Sequence, residues 1–549
     1  MTKRLFSIFL LLTVLAACVP ATPTPAPVTK TPAPSPTPAP TIWWSNDVLY
    51  EIFVRSFYDS NGDGIGDING IIEKLDYLND GDPNTTTDLG ITGIWLMPIF
   101  PSPSYHGYDV TDFYNINPQY GTMDDFKRFL QEAHKRGIRV IIDMVLNHTS
   151  DQHPWFRSAK KDVDSPYRNW YIWSDTDPGY KGPWGEKVWY PTLNGYYYGI
   201  FESFMPDLNY NNPEVTAEMT RVFSFWTNEV GVDGFRLDAA KHLIEEGAKQ
   251  ANTQSTHTWY NNFYPVYKAM NPNTMTVGEI SGDGVSVISR YVTDNELDLV
   301  FNFPLAGAFV KAAQTGRASN IATIIKTTNK FIADSQYSPF LTNHDQNRVM
   351  SELGNDVNKA RVAASLLLTS PGTPFIYYGE EIGMSGMKPD QNIRRPMQWT
   401  ADANAGFSTS KPWEPLDTNY KEVNVSTQTS DPNSLLNHYR KLISVRNANP
   451  ALQTGAYFEV TSNNPSVYAA LSVDENEVVL TLINLSDQPI TDYALTLGEP
   501  ALTDGTYHTE ILFGGEQVQS PDVSGGVFNN YKPKNELNPY STLIVKLSL

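Results

Sequence analysis

The feature that most constrains this chain is a rhythm. Short apolar runs of strand type recur at residues 48–57, 91–97, 138–145, 232–237, 274–278, 297–301, 338–341 and 375–378. Most are separated by stretches of helical period, at 68–78, 123–135, 214–229 and 359–368 among others. In 123–135 the apolar residues Phe126, Phe129, Leu130 and Ala133 fall on one helical face. Eight strands spaced by helices pair in parallel, because a helical crossover returns each strand to the same end of the sheet. The expected class is therefore α/β, a closed (β/α)8 TIM barrel. A doubly wound open sheet is the alternative, but no Gly-rich phosphate loop follows the first run.

Two intervals depart from the rhythm. About 60 residues after the third run are rich in Trp, Tyr, Pro, Gly and Asp, too many for a plain loop, and predict a small domain inserted at 148–207. Beyond a helix at 435–445 the pattern changes to alternating strands such as 478–483 and 541–547. Residues 451–549 thus read as a C-terminal antiparallel β-sandwich domain, leaving 41–147 and 208–450 for the barrel. No internal repeat is present.

The first 40 residues read as an address. Lys3 and Arg4 precede an apolar run to Leu15, followed by Ala16, Ala17 and Cys18. A charged start, a short apolar stretch and small residues make 1–17 a signal peptide rather than a membrane span. Nine Pro among residues 19–40 then make 18–40 an extended, semi-rigid spacer. Cys18 is the sole cysteine, so neither an internal disulfide nor a cysteine-ligated metal is available. Sixty Asp and Glu against forty Lys and Arg leave a formal charge of -20, which excludes a nucleic-acid backbone as partner.

In a barrel of this kind, chemistry belongs just after the strand ends on one rim. Polar clusters sit there: Tyr105-His106-Gly107-Tyr108-Asp109, then Asp143 with Asn147-His148, Arg236 with Asp238, Glu279, and His344-Asp345. Paired carboxylates at such positions suit acid–base and nucleophilic work. Separately, Asp59-Ser-Asn61-Gly-Asp63-Gly-Ile65-Gly-Asp67 sets oxygen ligands at alternate positions with glycines for the turn. That is the spacing of a calcium loop, although Gly70 stands where an EF-hand would have its closing Glu. A plain acidic surface turn is the other reading.

Four motifs, Asp143-Met-Val-Leu-Asn147-His148, Gly234-Phe-Arg-Leu-Asp238-Ala-Ala-Lys-His242, Gly278-Glu279 and Asn343-His344-Asp345, resemble in order the conserved regions of the α-amylase superfamily. Met205-Pro-Asp-Leu-Asn209 resembles its additional motif, and the resemblance spans residues 43–549. It implies Asp238 as nucleophile, Glu279 as general acid/base, Asp345 as the carboxylate that stabilises the transition state, and Arg236 as their partner. It implies substrate contacts from Tyr108, His106, Asp109, His148, His344, Lys241, His242 and Arg348. It also implies a Ca2+ ion at Asp59, Asn61, Asp63, the Ile65 carbonyl and Asp67. A second ion is implied at Asn147, Asp207 and the carbonyl of His242, with one ligand unassigned. Leu15-Ala16-Ala17-Cys18 resembles a bacterial lipoprotein signal, implying a lipid anchor on Cys18 and an extracytoplasmic, membrane-anchored enzyme.

Lys241-His242 resembles α-amylases, whereas Met205 to Asn209 and Arg395-Pro-Met-Gln-Trp399 resemble oligosaccharide-acting members. The resemblance therefore points to a group between α-amylases and oligo-1,6-glucosidases, acting as monomers on α-glucans or maltooligosaccharides without an organic cofactor. The expected activity is retaining cleavage of internal α-1,4-glucosidic bonds. An exo-acting α-glucosidase or oligo-1,6-glucosidase, a glucanotransferase or trehalose-forming enzyme, and a non-catalytic carbohydrate-binding protein are the alternatives.

Overall fold

The computed structural model describes residues 42–318, 320–332, 336–515 and 517–549. The signal, the Cys18 anchor and the spacer predicted from the sequence lie outside them.

Eight parallel strands form one sheet: β1 (Leu49–Ile52), β2 (Gly93–Leu96), β3 (Arg139–Met144), β4 (Gly234–Leu237), β5 (Met275–Gly278), β6 (Leu299–Phe301), β7 (Tyr337–Ser338) and β8 (Phe375–Tyr377). The order runs β7-β6-β5-β4-β3-β2-β1-β8. Phe375 N donates to Pro339 O at 2.9 Å, joining β8 to the segment after β7 and closing the barrel. The (β/α)8 expectation holds, and the open sheet does not.

Alternation along each strand fills the interior in layers. Leu49, Trp95, Ile141, Met275, Val277, Leu299, Phe301 and Phe375 form an apolar cluster inside the barrel. Two residues further along the same strands, Glu51 and Asp143 share its inward face. In register, Asp143 stands beside Arg236, and Glu51 beside Trp95 and Tyr377. The upper layer of the barrel is thus charged where the lower one is apolar.

The helices follow their local chemistry. Thr122 and Asp125 form a reciprocal cap for Met123–Lys135, whose buried face is Phe126, Phe129, Leu130 and Ala133. Several predicted boundaries move. The run at 48–57 is strand only to Ile52 and continues as the helical turn Val54–Phe57. The helix at 68–78 divides into Ile68–Glu73 and Leu75–Leu78. The seventh strand is two residues at 337–338 rather than 338–341.

Between β3 and the helix Pro213–Ser224 lies a three-stranded antiparallel sheet of Trp173–Ser174, Gly195–Tyr198 and Trp189–Thr192, with Gly195–Tyr198 central. Bridges His148–Asp207 and Tyr171–Leu208 tie its two ends together. The C-terminal region is a six-stranded antiparallel sheet with a two-stranded ribbon and its own apolar core. Thr542 donates to Ser365 at 2.8 Å, and Phe513 packs edge-on against His438, seating this sheet on two barrel helices.

Candidate active site

Arg236 is the hub of the rim. It is fully buried on β4, and a charge so placed needs partners on every side. Its Nη1 reaches Asp143 Oδ1 at 2.8 Å and Asp238 Oδ1 at 2.6 Å, and its Nη2 reaches Glu279 Oε2 at 2.8 Å. One guanidinium therefore orients three carboxylates from three successive strands. Immediately after Asp238 the backbone turns left-handed at Ala239 (φ 47°), and the Ala239 N–H donates to Glu279 Oε2 at 3.1 Å.

Electrostatics separates these carboxylates. Burial raises Glu279 above the usual glutamate value; Arg236 opposes this, and the charges of Asp238 and Asp345 add to it. Burial likewise raises Asp238, with Arg236 the main opposing influence. Asp345 behaves oppositely. Despite the cost of burial, His344 and then Arg394 hold its carboxyl far below the ordinary range. His344 Nε2 lies 3.1 Å from Asp345 Oδ2, and Arg394 Nη2 lies 2.7 Å from Oδ1. Asp345 is thus firmly ionised, whereas burial raises Glu279, Asp238 and, to about 7, Asp143.

These groups face a cleft of about 390 Å³. His106, Tyr108, His148, Lys241 and His242 line it with Asp238, Glu279 and Asp345, so eight predicted residues converge on one cavity. Tyr108 donates to Asp143 at 3.1 Å and stacks on His344, its ring 5.6 Å away. His148 is buried with Nε2 unpartnered, and burial pushes it down to about 4, leaving a neutral ring. Lys241 is held by Asp283 at 3.0 Å. His344 and Arg236 sit behind the wall, in contact with residues that reach the cavity.

Besides His344, two predicted substrate contacts do not line the cleft. Asp109 is buried and accepts hydrogen bonds from Ser102 and Ser104. Arg348 is buried over the rings of Tyr377 and Tyr378, donating to the Tyr378 carbonyl at 2.7 Å. The sequence reading missed other residues. Arg394 and Asp390 enter the cleft from the loop after β8, and Glu51 lies beneath His344. Arg394 stands one position before the Arg395 motif, and only its contact with Asp345 reveals it. Trp184 and Phe201 of the insert stack at 5.8 Å beside His242.

The loop at 59–67 winds as a ladder of side-chain caps. Asp59 accepts from the backbone N–H of Asn61 and Gly62, Asn61 from Asp63, and Asp63 from Ile65. This ladder winds the loop around its own side-chain oxygens, and every candidate ligand is the hard oxygen that Ca2+ takes. Asp67 is committed to the helix Ile68–Glu73, accepting from Gly70 N at 2.7 Å and from Ser60. The residues fit a hard cation, with Asp67 anchoring the loop.

At the second position, Asn147 Nδ2 donates to Asp207 Oδ2 at 3.1 Å, while Asn147 Oδ1 is buried without a partner. Burial pushes Asp207 well up, and Glu245 beside it is pushed up by burial and by the Asp207 charge. Two carboxyl groups in contact next to an orphaned amide oxygen fit a cation. Glu245, which no sequence motif marked, lies beside Asp207.

The family described as "Alpha amylase, catalytic domain" matches residues 51–455. "Alpha-amylase 3" of Dictyoglomus thermophilum is 39% identical over 511 residues, 92% of this chain and 94% of that protein. The "Oligo-1,6-glucosidase" of Parageobacillus thermoglucosidasius is 34% identical, over 81% of this chain and 91% of that protein. The crystal structure of the alpha-amylase from H. orenii superposes with a TM-score of 0.80 at 42% identity, covering 92% of this chain and all of that one.

Proposed function

The chain belongs to the α-amylase family and is a glycosidase, and we propose that it hydrolyses internal α-1,4-glucosidic bonds of starch and maltodextrins with retention of configuration. The observation that carries this reading is the shared guanidinium: Arg236 holds Asp238 and Glu279 at 2.6 and 2.8 Å. Two carboxyls on adjacent nitrogens of one side chain suit the spacing of roughly 5 to 5.5 Å that retention uses, rather than the wider gap that admits a water in inversion.

In the proposed cycle, Asp238 attacks the anomeric carbon while protonated Glu279 gives its proton to the departing glycosidic oxygen. The Asp238 charge disappears in the ester, which removes one of the influences raising Glu279. Glu279 then accepts a proton from the incoming water, whose oxygen displaces Asp238. Asp345, fixed by His344 and Arg394, grips the sugar hydroxyls at the distorted ring. His106, His148 and Tyr108 contact the same sugar, and Lys241, His242 and Trp184 the leaving-group side.

Internal cleavage is supported by the resemblance of Lys241-His242 to α-amylases, and both residues line the cleft. A product time course on starch, maltoheptaose, pullulan and isomaltose tests this. Mixed maltooligosaccharides appear early from starch; glucose alone, released from isomaltose, would place the enzyme with the oligo-1,6-glucosidases instead.

Calcium is part of the proposal. Asp59, Asn61, Asp63 and the Ile65 carbonyl would hold one ion, with Asp67 bracing the loop rather than binding as the resemblance implied, and Asn147, Asp207, Glu245 and the His242 carbonyl would hold another. Bound there, the ions supply structural cross-links, the second between insert and barrel. Among the described residues no helix is long and apolar enough to cross a membrane. We propose that a lipid on Cys18 anchors a monomeric enzyme outside the cytoplasm, supported by the signal-like residues before it. Metabolic labelling with a fatty acid, lost in Cys18→Ser, checks the anchor.

A further inference from the structure

We propose that Glu51 is a positioning residue that holds His344 as a doubly protonated imidazolium and, through it, fixes the Asp345 carboxylate at the cleft. The role given to Asp345 rests on the glycosidase mechanism above; the state of His344 rests on geometry alone.

Glu51 points into the barrel from β1, is 2% exposed and does not line the cleft. Its Oε1 lies 2.5 Å from His344 Nδ1. On the other side of the ring, His344 Nε2 lies 2.6 Å from the Tyr108 hydroxyl and 3.1 Å from Asp345 Oδ2. The Tyr108 hydroxyl is shared between Nε2 and Asp143 Oδ2, the latter at 3.1 Å. The ring thus has a carboxylate on each side, Glu51 at Nδ1 and Asp345 at Nε2, and both are acceptors. A neutral imidazole has one N–H, and either tautomer would leave a bare nitrogen facing lone pairs. Only the imidazolium satisfies both sides.

The charged surroundings agree. Glu51, Asp345, Asp143 and Asp238 face the ring from β1, the segment after β7, β3 and β4, against Arg236, and Arg394 Nε donates to the His344 carbonyl at 2.9 Å. Burial alone would depress His344, but Asp345 and Glu51 raise it to about 10. The consequence reaches the substrate side. The Asp345 side chain, 45% exposed, is held on one oxygen by His344 and on the other by Arg394. A neutral His344 would give that oxygen no assured donor and release one of its two constraints.

The test is the ring protonation of His344, read by NMR of the full protein labelled with 15N-histidine and assigned with His344→Asn. Both ring nitrogens remain protonated up to about pH 8 in the unaltered protein. In Glu51→Gln, which keeps an acceptor and the side-chain shape but removes the charge, His344 titrates at least ~1 pH unit lower. In that variant kcat on maltoheptaose falls in proportion to the fraction of His344 left neutral at the assay pH, while KM changes little, since Glu51 never touches the sugar. A neutral His344 near pH 7 in the unaltered protein, or an unchanged titration in Glu51→Gln, overturns the proposal. Should Glu51→Gln not fold, the titration of the unaltered protein decides alone. Failure of that protein to cleave any α-glucan would count against the hydrolase reading, while the ring titration would still judge Glu51.

Discussion

Arg236 Nη2 lies 2.8 Å from Glu279 Oε2, so the carboxyl proposed to donate a proton faces a fixed positive charge. Burial, with the charges of Asp238 and Asp345, overrides that opposition and leaves Glu279 raised. Activity needs Glu279 protonated and Asp238 ionised, so kcat/KM against pH is a bell. Its alkaline limb, set by Glu279, falls above the ordinary glutamate value near 4.5. A pH–rate profile whose alkaline limb sits at or below that value would contradict the assignment.

The two carboxyls separate kinetically. Asp238→Asn removes the nucleophile and lowers kcat by at least about 10³. Glu279→Gln costs about 10² to 10⁴ on maltoheptaose but far less on an α-maltosyl fluoride, whose leaving group needs no proton. With the fluoride, Glu279→Gln accumulates an ester on Asp238, visible as one added maltosyl mass. Equal losses on both substrates would deny Glu279 its acid role.

Trp184 is 62% exposed, and its stacking on Phe201 has no core to support. Trp184→Ala leaves the melting temperature unchanged and raises KM for maltoheptaose about fivefold, the value of one lost sugar–aromatic contact near 1 kcal/mol. An unaltered KM would exclude this ring from substrate binding.

His438, away from the cleft, reports on stability. Burial pushes it down to about 4 from an ordinary 6.5. The folded protein therefore binds fewer protons at this site than the unfolded one between those values. Its contribution is fully present above pH 6.5 and is lost as pH falls toward 4, roughly 3 kcal/mol in all. Denaturant unfolding across that window should show a shallower pH slope for His438→Gln. An identical slope would mean that the imidazole accepts its proton without unfolding.

Calcium removal is the fifth measurement. Chelation lowers the melting temperature by several degrees, since an ion at about 100 times its dissociation constant stabilises by about 2.7 kcal/mol. Calcium restores it and magnesium does not. Asp63→Asn and Asp207→Asn each remove part of the response, and no response in the unaltered protein would end the metal assignment.

Much of the barrel was legible because its strands are continuous apolar runs with polar residues at one end. The seventh strand was misplaced because Tyr337–Ser338 makes only two ladder pairs and leaves almost no pattern. The break at Lys74 has no helix breaker to announce it; there the ammonium lies 3.7 Å from the Tyr58 ring and 4.9 Å from that of Trp399, far away in sequence. In the site, residues inside motifs were readable. Glu51, Glu245 and Arg394 were not, because the partner of each, His344, Asp207 and Asp345 in turn, is brought near only by the fold.

The closure of the barrel sets an order on synthesis. β1 pairs with β2, which is made soon after it, and with β8, which begins at Phe375. Glu51 meets His344 across 293 positions of chain. A nascent chain thus carries a first strand with one edge unpaired until most of the catalytic body has been made, and every earlier length is without a working site. Contacts so distant are slow to form, and the exposed edge is open to wrong pairing while it waits. The interval of synthesis between the two ends of the barrel is therefore the interval in which that edge stands open to aggregation.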